Sequence, residues 1–201
     1  MKQNAYLLVF DGLADWEMPH ALCTINKSER FDVMTAGFAD RPITTMGGLK
    51  LTPQITIKDV SAASAGIFIL PGGDMWEQSS NEELINLLHQ LHTKNVPIAA
   101  ICGATLEIAR AGLTHAIRHT SNDKEYLKAM VPDYRDDEFY VNELAVTDGN
   151  IITASGLGSI EFGREVIKLL GIYSEAETQA WFDMHKQGVI PASFAVKQGS
   201  A

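Results

Sequence analysis

Short apolar runs alternate with amphipathic stretches along this chain, and this alternation limits its fold more than any other feature. The strand-like apolar runs are residues 5–10, 31–35, 67–70 and 97–101. The stretches with helical spacing of apolar residues are 15–27, 80–91, 104–111, 160–170 and 174–186. Continuous apolar runs are typical of strands buried on both faces of a sheet. The sequence therefore predicts an α/β protein with a mainly parallel sheet covered by helices.

Two glycine-containing turns add antiparallel pieces to this sheet. Gly47-Gly48 lies between the strand-like residues 43–46 and 49–52. Asp148-Gly149-Asn150 lies between residues 144–147 and 151–154. Tight turns between strand-like runs are typical of β-hairpins, so we expect two hairpins at a sheet edge.

Chain length and helix signals indicate the domain organisation. The length of 201 residues predicts a single domain over 1–201, with a core of about 4–171 and a C-terminal helix of about 174–187. Ser80 and Glu83 have the spacing of a capping box, which predicts the start of the second helical stretch.

Charge and cysteine content exclude several classes of function. The net charge of −9 and the lack of a Lys/Arg run argue against nucleic-acid binding. No apolar run reaches membrane-spanning length, and residues 5–10 are too short for a signal peptide. The two cysteines, Cys23 and Cys102, do not form a disulfide framework, and Cys23 is expected to pack in the core. We therefore expect a cytoplasmic protein without a nucleic-acid or membrane partner.

Cys102 lies where a strand runs directly into a helix. The neighbours Ala100, Gly103 and Ala104 are small, as a sharp and strained turn requires. The N–H groups and dipole of the following helix favour a thiolate there, which suits a nucleophile or a redox-sensitive thiol. The alternative is a buried cysteine that acts as a small apolar residue.

The loop after the first strand supplies a carboxyl group for this thiol. Because ligand sites collect at the carboxyl ends of parallel strands, Glu17 and Cys102 are expected to lie together. A carboxyl beside a thiol in a partly apolar site has a raised pKa and can transfer a proton. Asp15 is the competing carboxylate, and the alternative for Glu17 is a solvated position in the first helical turn.

Glycines and aromatic residues complete the candidate site. The backbone N–H groups of Gly73 and Gly103 can form an oxyanion hole, although Pro71-Gly72-Gly73 also suits a simple tight turn. Trp16 and Trp76 either plug the core or narrow a pocket for small ligands.

The remaining histidines are candidates for a base or a ligand. The candidate bases are His20, His115 and His119, each of which suits a surface or loop position as well. No histidine pair has metal-ligand spacing supported by nearby ligands, and Gly156-Leu157-Gly158 lacks the third glycine of a dinucleotide loop. The sequence predicts neither a metal nor a cofactor.

Taken together, these segments resemble the DJ-1/PfpI superfamily. The matching segments are residues 9–12, 15–17, 70–73, 99–104, 111–113, 148–154 and 158–162. The resemblance implies a flavodoxin-like three-layer α/β/α sandwich. It also implies a nucleophile elbow at Cys102, a Glu17–Cys102 hydrogen bond, and backbone donors at Gly73 and Gly103. Its members are often dimers, so a homodimer acting on a small-molecule substrate is expected.

The chain departs from the superfamily pattern at two positions. Asn122 occupies the place where many members carry histidine, and His119 lies three residues earlier, on the opposite face of an extended segment. Gly103 stands where PfpI-like proteases tend to have histidine. Both differences argue against a Cys–His peptidase.

Three functions remain as hypotheses. The first is a cysteine-dependent enzyme of the hydrolase or glyoxalase/deglycase type, with Cys102 as nucleophile. The alternative is an oxidative-stress protein that senses oxidants by reversible oxidation of Cys102. A glutaminase of the amidotransferase type is disfavoured, because no histidine has glutamate two residues later.

Overall fold

A seven-stranded sheet forms the centre of the molecule. The computed structural model describes residues 2–78 and 80–191. Its strands are β1 (Gln3–Val9), β2 (Phe31–Gly37), β3 (Ile43–Thr44), β4 (Lys50–Leu51), β5 (Ile55–Thr56), β6 (Ala65–Leu70), β7 (Ile98–Ile101), β8 (Ala145–Asp148) and β9 (Ile151–Ala154). The sheet order is β5-β2-β1-β6-β7-β9-β8, and every neighbouring pair is parallel except β8 with β9.

Helices lie on both sides of this sheet. They are α1 (Pro19–Lys27), α2 (Met75–Gln78), α3 (Glu82–Thr93), α4 (Ala104–Arg110), α5 (Lys124–Met130), α6 (Ser159–Leu169) and α7 (Glu175–Gln187). Helix α6 packs against α1 and α7, whereas α3 packs against α4. This arrangement confirms the predicted flavodoxin-like α/β/α sandwich with a mainly parallel sheet.

The central strands supply most of the core. All six residues of β6 and the last five residues of β1 are buried, as the continuous apolar runs predict. Phe68 and Leu8 are fully buried, and burial of such a side chain stabilises the fold by roughly 1.5–3 kcal/mol. The sheet is therefore a rigid support for the loops at its carboxyl edge.

The two predicted hairpins form, but only one belongs to the main sheet. Strands β8 and β9 pair antiparallel around Gly149, with β8 at the sheet edge as predicted. Strands β3 and β4 pair with each other in a separate two-stranded sheet. The prediction that this first hairpin joins the sheet edge is wrong, because β5 occupies the edge position beside β2.

Three local predictions also need correction. Helix α1 begins at Pro19, because residues 15–17 form a turn instead of the first helical turn. The N-cap of α3 is Asn81, whose side chain accepts a hydrogen bond from the N–H of Leu84. Cys23 is exposed on α1, so the prediction that it packs in the core is wrong.

No helix in the described ranges combines the length and apolar character needed to span a membrane. The single domain, the cytoplasmic location and the homodimer stay predictions.

Candidate active site

Cys102 lies in a strained turn between β7 and α4. Its φ angle is +60°, in the left-handed region that side-chain-bearing residues rarely adopt. The backbone N–H of Cys102 donates to the carbonyl of Ala154 on β9, at 2.8 Å, and holds the turn against the sheet. The predicted sharp junction is therefore present, with the sulfur at the carboxyl edge of the sheet.

Glu17 reaches this sulfur from the loop that follows β1. The residue is only 1% exposed, and its Oε2 accepts the N–H of Gly72 at 2.5 Å. The second oxygen, Oε1, has no conventional hydrogen-bond partner among the described residues and interacts with the side chain of Cys102. The structure thus brings together the carboxyl and the thiol that the sequence places in separate loops.

Gly72 makes this close approach possible. A Cβ atom at Gly72 would lie 2.6 Å from both the Cβ of Cys102 and the Oε2 of Glu17. Only glycine leaves room for both side chains while its N–H holds the carboxyl. The sequence pattern indicates Gly73 in this turn but contains no local signal for the role of Gly72.

Burial shifts both members of the pair toward their protonated forms. Burial raises the pKa of Glu17 to about 7, against the opposing effect of the Gly72 N–H and the Cys102 side chain. Burial and then the charge of Glu17 raise the pKa of Cys102 to about 11. The side chain of Asn122 and the N–H of Gly103 oppose that rise only in part. Burial and the charge of Glu17 thus favour the protonated thiol, opposite to the acidic thiol that the sequence predicts for this position.

Asn122 holds the sulfur from the other side. Its Nδ2 donates to Sγ of Cys102 at 3.3 Å, and its Oδ1 accepts the N–H of Gly156 at 2.9 Å. The second contact fixes which end of the amide faces the sulfur. An amide donates a hydrogen bond but does not act as a base near neutral pH, so Asn122 orients the thiol without taking its proton.

The predicted oxyanion donors both lie beside the sulfur. The N–H groups of Gly73 and Gly103 donate to no backbone carbonyl in the described part of the chain. The φ angle of Gly73 is +157°, and a Cβ atom there would lie 2.7 Å from the ring of Phe10. Both glycines line the cavity with Cys102, and the oxyanion role of their N–H groups stays a prediction.

A cavity of about 300 Å³ opens over the sulfur. Glu17, Gly73, Gly103 and Asn122 line it together with Cys102. The exposed ring of Trp16 lies at its rim. This volume lies at the small end of the range for ligand pockets.

The histidine candidates do not line this cavity. The ring of His20 packs against Trp181 and His185 of α7, because its position on α1 turns it toward that helix. His119 is fully buried, with ring nitrogens 2.8 Å from the carbonyl of Ile117 and 2.5 Å from the hydroxyl of Tyr134. Burial lowers the pKa of both His20 and His119.

His115 also lies elsewhere, since its exposed ring pairs with Asp136 at 3.1 Å. The prediction that His20 or His119 serves as a base in the pocket of Cys102 is therefore wrong. His119 does lie in the loop between α4 and α5, as one alternative allowed, but it is buried there and not at the surface. Among the described residues that line the cavity, none is a histidine.

Asp15 and Trp76 have supporting positions outside the cavity lining. Asp15 accepts the N–H of Gly47 at 2.6 Å and so ties the Glu17 loop to the β3–β4 hairpin. Trp76 is fully buried, and its indole N–H donates to the carbonyl of Pro71 at 2.9 Å. A Cβ atom at Gly103 would lie 3.0 Å from Trp76, which explains why glycine follows Cys102 here.

Several lining residues were missed by the sequence analysis. They are Ala14, Met46, Asp74, Glu77 and Tyr126. Met46 arrives on the β3–β4 hairpin, and Tyr126 arrives on α5, a helix that the sequence analysis did not predict. Gly156 was also missed; a Cβ atom there would lie 2.9 Å from the sulfur. The Gly156-Leu157-Gly158 pattern was the one available signal for it.

No group of three His, Cys, Asp or Glu side chains within residues 2–78 and 80–191 is placed to hold a metal ion.

Comparison with known proteins gives close matches over most of the chain. A model of the DJ-1/PfpI family matches residues 3–169. "Uncharacterized protease YoaZ" of Bacillus subtilis (strain 168) is 34% identical over 191 residues, covering 92% of this chain and 91% of the relative. The crystal structure of a thiJ/pfpI family protein from Bacillus anthracis superposes with a TM-score of 0.89 at 32% identity, covering 94% of this chain and 92% of that one.

More distant relatives carry the names of enzymes. "Deglycase PfpI" of Pyrococcus furiosus is 26% identical and covers 72% of this chain and 86% of its own length. "Glutathione-independent glyoxalase DJR-1.2" of Caenorhabditis elegans is 26% identical and covers 69% of this chain and 73% of its own length. Protease, deglycase and glyoxalase are therefore all names found among the relatives.

Proposed function

Since the chain belongs to the DJ-1/PfpI family, we propose that it is a cysteine-dependent enzyme that converts small reactive carbonyl compounds, in a reaction of the glyoxalase or deglycase type. The observation that carries this proposal is the buried Glu17–Cys102 pair under a cavity of about 300 Å³. Cys102 is the nucleophile, Glu17 transfers protons, and the N–H groups of Gly73 and Gly103 bind the carbonyl oxygen.

Glu17 activates the thiol as a general base. Because the pKa of Cys102 is about 11, the thiol does not ionise by itself near neutral pH. The ionised carboxylate of Glu17 takes the thiol proton as the sulfur attacks the aldehyde carbon, and the same proton then passes to the carbonyl oxygen. The S–C bond forms and the carbonyl becomes a hydroxyl, so this addition needs no other reactant. A base with a pKa near 7 is well matched to such a transfer.

For a 2-oxoaldehyde the pair can complete an internal redox reaction. Glu17 removes the proton from the first carbon of the adduct and returns it to the second carbon, while the hydroxyl proton on the first carbon passes to the oxygen of the second carbon. The first carbon is thereby oxidised to a thioester while the second is reduced to an alcohol. Hydrolysis of the thioester by one water molecule releases the 2-hydroxy acid and regenerates the thiol. The overall reaction consumes the 2-oxoaldehyde and water, without an external oxidant.

Two observations weigh against the competing functions. The contact of Asn122 with the sulfur replaces the imidazole that a Cys–His peptidase requires. The raised pKa of Cys102 disfavours the thiolate, which is the form that reacts with peroxide in sensor proteins. Both observations support small-carbonyl chemistry over peptide hydrolysis or oxidant sensing.

Turnover of methylglyoxal to lactate tests this proposal. We expect the wild-type protein to form lactate with a kcat/KM that rises with pH through about 7, because Glu17 must be ionised to accept the thiol proton. Cys102→Ala should abolish lactate formation, while Cys23→Ala, at the exposed thiol on α1, should retain it.

Lactate formation that persists in Cys102→Ala would contradict the proposal. A protein without turnover that forms a Cys102 sulfinate at low peroxide concentration, measured by mass spectrometry, would favour the sensor instead.

A further inference from the structure

Two large apolar side chains stand exposed at the rim of the Cys102 cavity. Trp16 is 56% exposed and Met46 is 44% exposed, and both line the cavity. Trp16 belongs to the loop that carries Glu17, and Met46 belongs to the turn of the β3–β4 hairpin. Exposed apolar surface next to a reactive group is typical of a ligand-binding surface, since water contact with it is unfavourable.

The charged groups around this cavity are all acidic. Asp74 and Glu77 line it together with Glu17, and none of the described lining residues is lysine, arginine or histidine. Tyr126 fixes Glu77 in place by donating its hydroxyl to Oε1 at 3.0 Å. The side chain of Asp74 is solvent-exposed at the same rim.

Arg110 is a cation close to the cavity lining, and it is already paired. The charge of Arg110 partly opposes the rise in the pKa of Tyr126, so its guanidinium lies near that lining residue. Its side chain is only 15% exposed and pairs with the fully buried Glu107 at 3.3 Å. It also donates to the carbonyl of Trp76, at 2.8 Å, so it does not present a free charge to the cavity.

We propose that the site selects uncharged carbonyl compounds with an aromatic or bulky apolar substituent and rejects anionic ones. The inference rests on the proposed function for the reaction at Cys102, and it adds the substrate class. Trp16 and Met46 cover the substituent, while Asp74 and Glu77 repel a carboxylate or phosphate. The same repulsion speeds the release of a 2-hydroxy acid product, which is an anion.

Alkylation of Cys102 by matched reagents tests this selectivity without any need for turnover. A Cys23→Ser background leaves Cys102 as the only thiol, because the chain has two cysteines. Iodoacetamide, iodoacetate and N-benzyliodoacetamide share one reaction: the S–C bond forms, iodide leaves, and the thiol proton passes to solvent. For each reagent, the rate constant with Cys102 is divided by its rate constant with a small uncharged thiol, N-acetylcysteine amide. This normalised rate corrects for the intrinsic reactivity of the reagent.

The charge arm compares iodoacetamide with iodoacetate. We expect the normalised preference for the amide to be roughly tenfold at low salt and to shrink in 1 M NaCl, because exposed carboxylates repel weakly and are screened. The double variant Asp74→Asn/Glu77→Gln should reduce this preference several-fold, and the ionised carboxylate of Glu17 beside the sulfur should keep it above one. Equal normalised rates in the wild-type background would overturn this arm.

The apolar arm compares N-benzyliodoacetamide with iodoacetamide. The normalised ratio should exceed one and fall about fivefold in Trp16→Ala, since aromatic pairs gain energy beyond burial alone. Leu49→Ala is the control, because Leu49 is an apolar side chain 66% exposed on the β3–β4 hairpin that carries Met46, but it does not line the cavity. A ratio that Trp16→Ala leaves unchanged would overturn this arm.

Aldehyde turnover separates this inference from the function on which it rests. Phenylglyoxal, methylglyoxal and 4-carboxyphenylglyoxal are all 2-oxoaldehydes and supply an aromatic, a small neutral and an anionic substrate. Selective alkylation without turnover of any aldehyde would support the selectivity while contradicting the proposed reaction. Turnover of all three at similar kcat/KM would support the reaction while contradicting the selectivity.

Discussion

The charge of Glu17 determines how readily the sulfur of Cys102 loses its proton. Replacing Glu17 with glutamine removes that charge and places an amide that can donate to the sulfur, as Asn122 does. We therefore expect the pKa of Cys102 to fall in Glu17→Gln. Alkylation of Cys102 by iodoacetamide at pH 8 should become about tenfold faster, since the rate follows the thiolate fraction and one pKa unit is tenfold.

Methylglyoxal turnover should fall in Glu17→Gln although alkylation becomes faster, because glutamine does not accept the thiol proton. Asp15→Asn is the matched control, as Asp15 lies in the same loop and bonds the N–H of Gly47 away from the sulfur. Slower alkylation in Glu17→Gln would mean that the carboxyl stabilises the thiolate, contrary to the expected effect.

Individual residues of the site differ in how far local sequence could predict them. Glu17 was predictable because ligand sites collect at the carboxyl ends of parallel strands. Asn122 was predictable because it occupies the position of the histidine in the superfamily pattern. The raised pKa of Cys102 was not predictable, because it depends on burial and on a charge that comes from another strand. The position of His119 was missed for the same reason, since its buried partner Tyr134 lies in a distant loop.

At the scale of elements, the turn after β6 sets the distance between the carboxyl and the thiol. A methyl group at Gly72 would displace Glu17 or Cys102, since both lie within 2.7 Å of its position. We expect Gly72→Ala to lower the free energy of unfolding by about 1–3 kcal/mol, the usual cost of overpacking. Methylglyoxal turnover should fall more than tenfold, because such a catalytic pair is sensitive to small shifts.

Gly112→Ala is the control for a glycine substitution as such. Gly112 has a φ angle of +67° and no atom within 4 Å of an added Cβ, so only backbone strain is introduced. This variant should lose about 1 kcal/mol of stability and keep its turnover. Urea unfolding and kcat/KM, measured on both variants, check the expectation; full activity in Gly72→Ala would contradict it.

Element boundaries show where local signals stop being sufficient. The capping box at Ser80 and Glu83 does not form, because the hydroxyl of Ser80 and the N–H of Asn81 both bond Glu107 of α4. Helix α1 starts at Pro19 because the loop before it is held by the β3–β4 hairpin through Asp15. Both partners are distant in sequence, so local pattern identified these helices but not their starts.

At the scale of the whole molecule, the order of the sheet explains why these loops meet. Strands β1, β6 and β7 are neighbours and run parallel, so their carboxyl ends lie at one edge. Strand β9 lies on the far side of β7 and brings Gly156 to the same edge. Alternation of strands and helices predicted the layers, whereas the strand order depends on long-range pairing that no single segment contains.

Burial of Glu17 also makes the stability of the whole protein depend on pH. The pKa of this carboxyl is about 7 in the folded state against 4.5 as its ordinary value, so the folded state holds the proton more tightly. Its protonation therefore stabilises the fold fully below about pH 4.5, and this contribution is lost as the pH rises through 7. Because each pKa unit corresponds to 1.36 kcal/mol, the free energy of unfolding falls by about 3 kcal/mol over this pH range.

Glu17→Gln removes this titration, which gives a prediction for equilibrium unfolding. The stability of the variant minus that of the wild type should be larger at pH 8 than at pH 4, by about 3 kcal/mol, in urea unfolding at both pH values. Effects of glutamine that do not depend on pH cancel in this difference. Glu138→Gln, at an exposed carboxyl, should show little change between the two pH values. If the stability of Glu17→Gln minus that of the wild type were larger at pH 4 than at pH 8, the fold would prefer the carboxylate form of Glu17. The proton transfer assigned to Glu17 would then lack its physical basis.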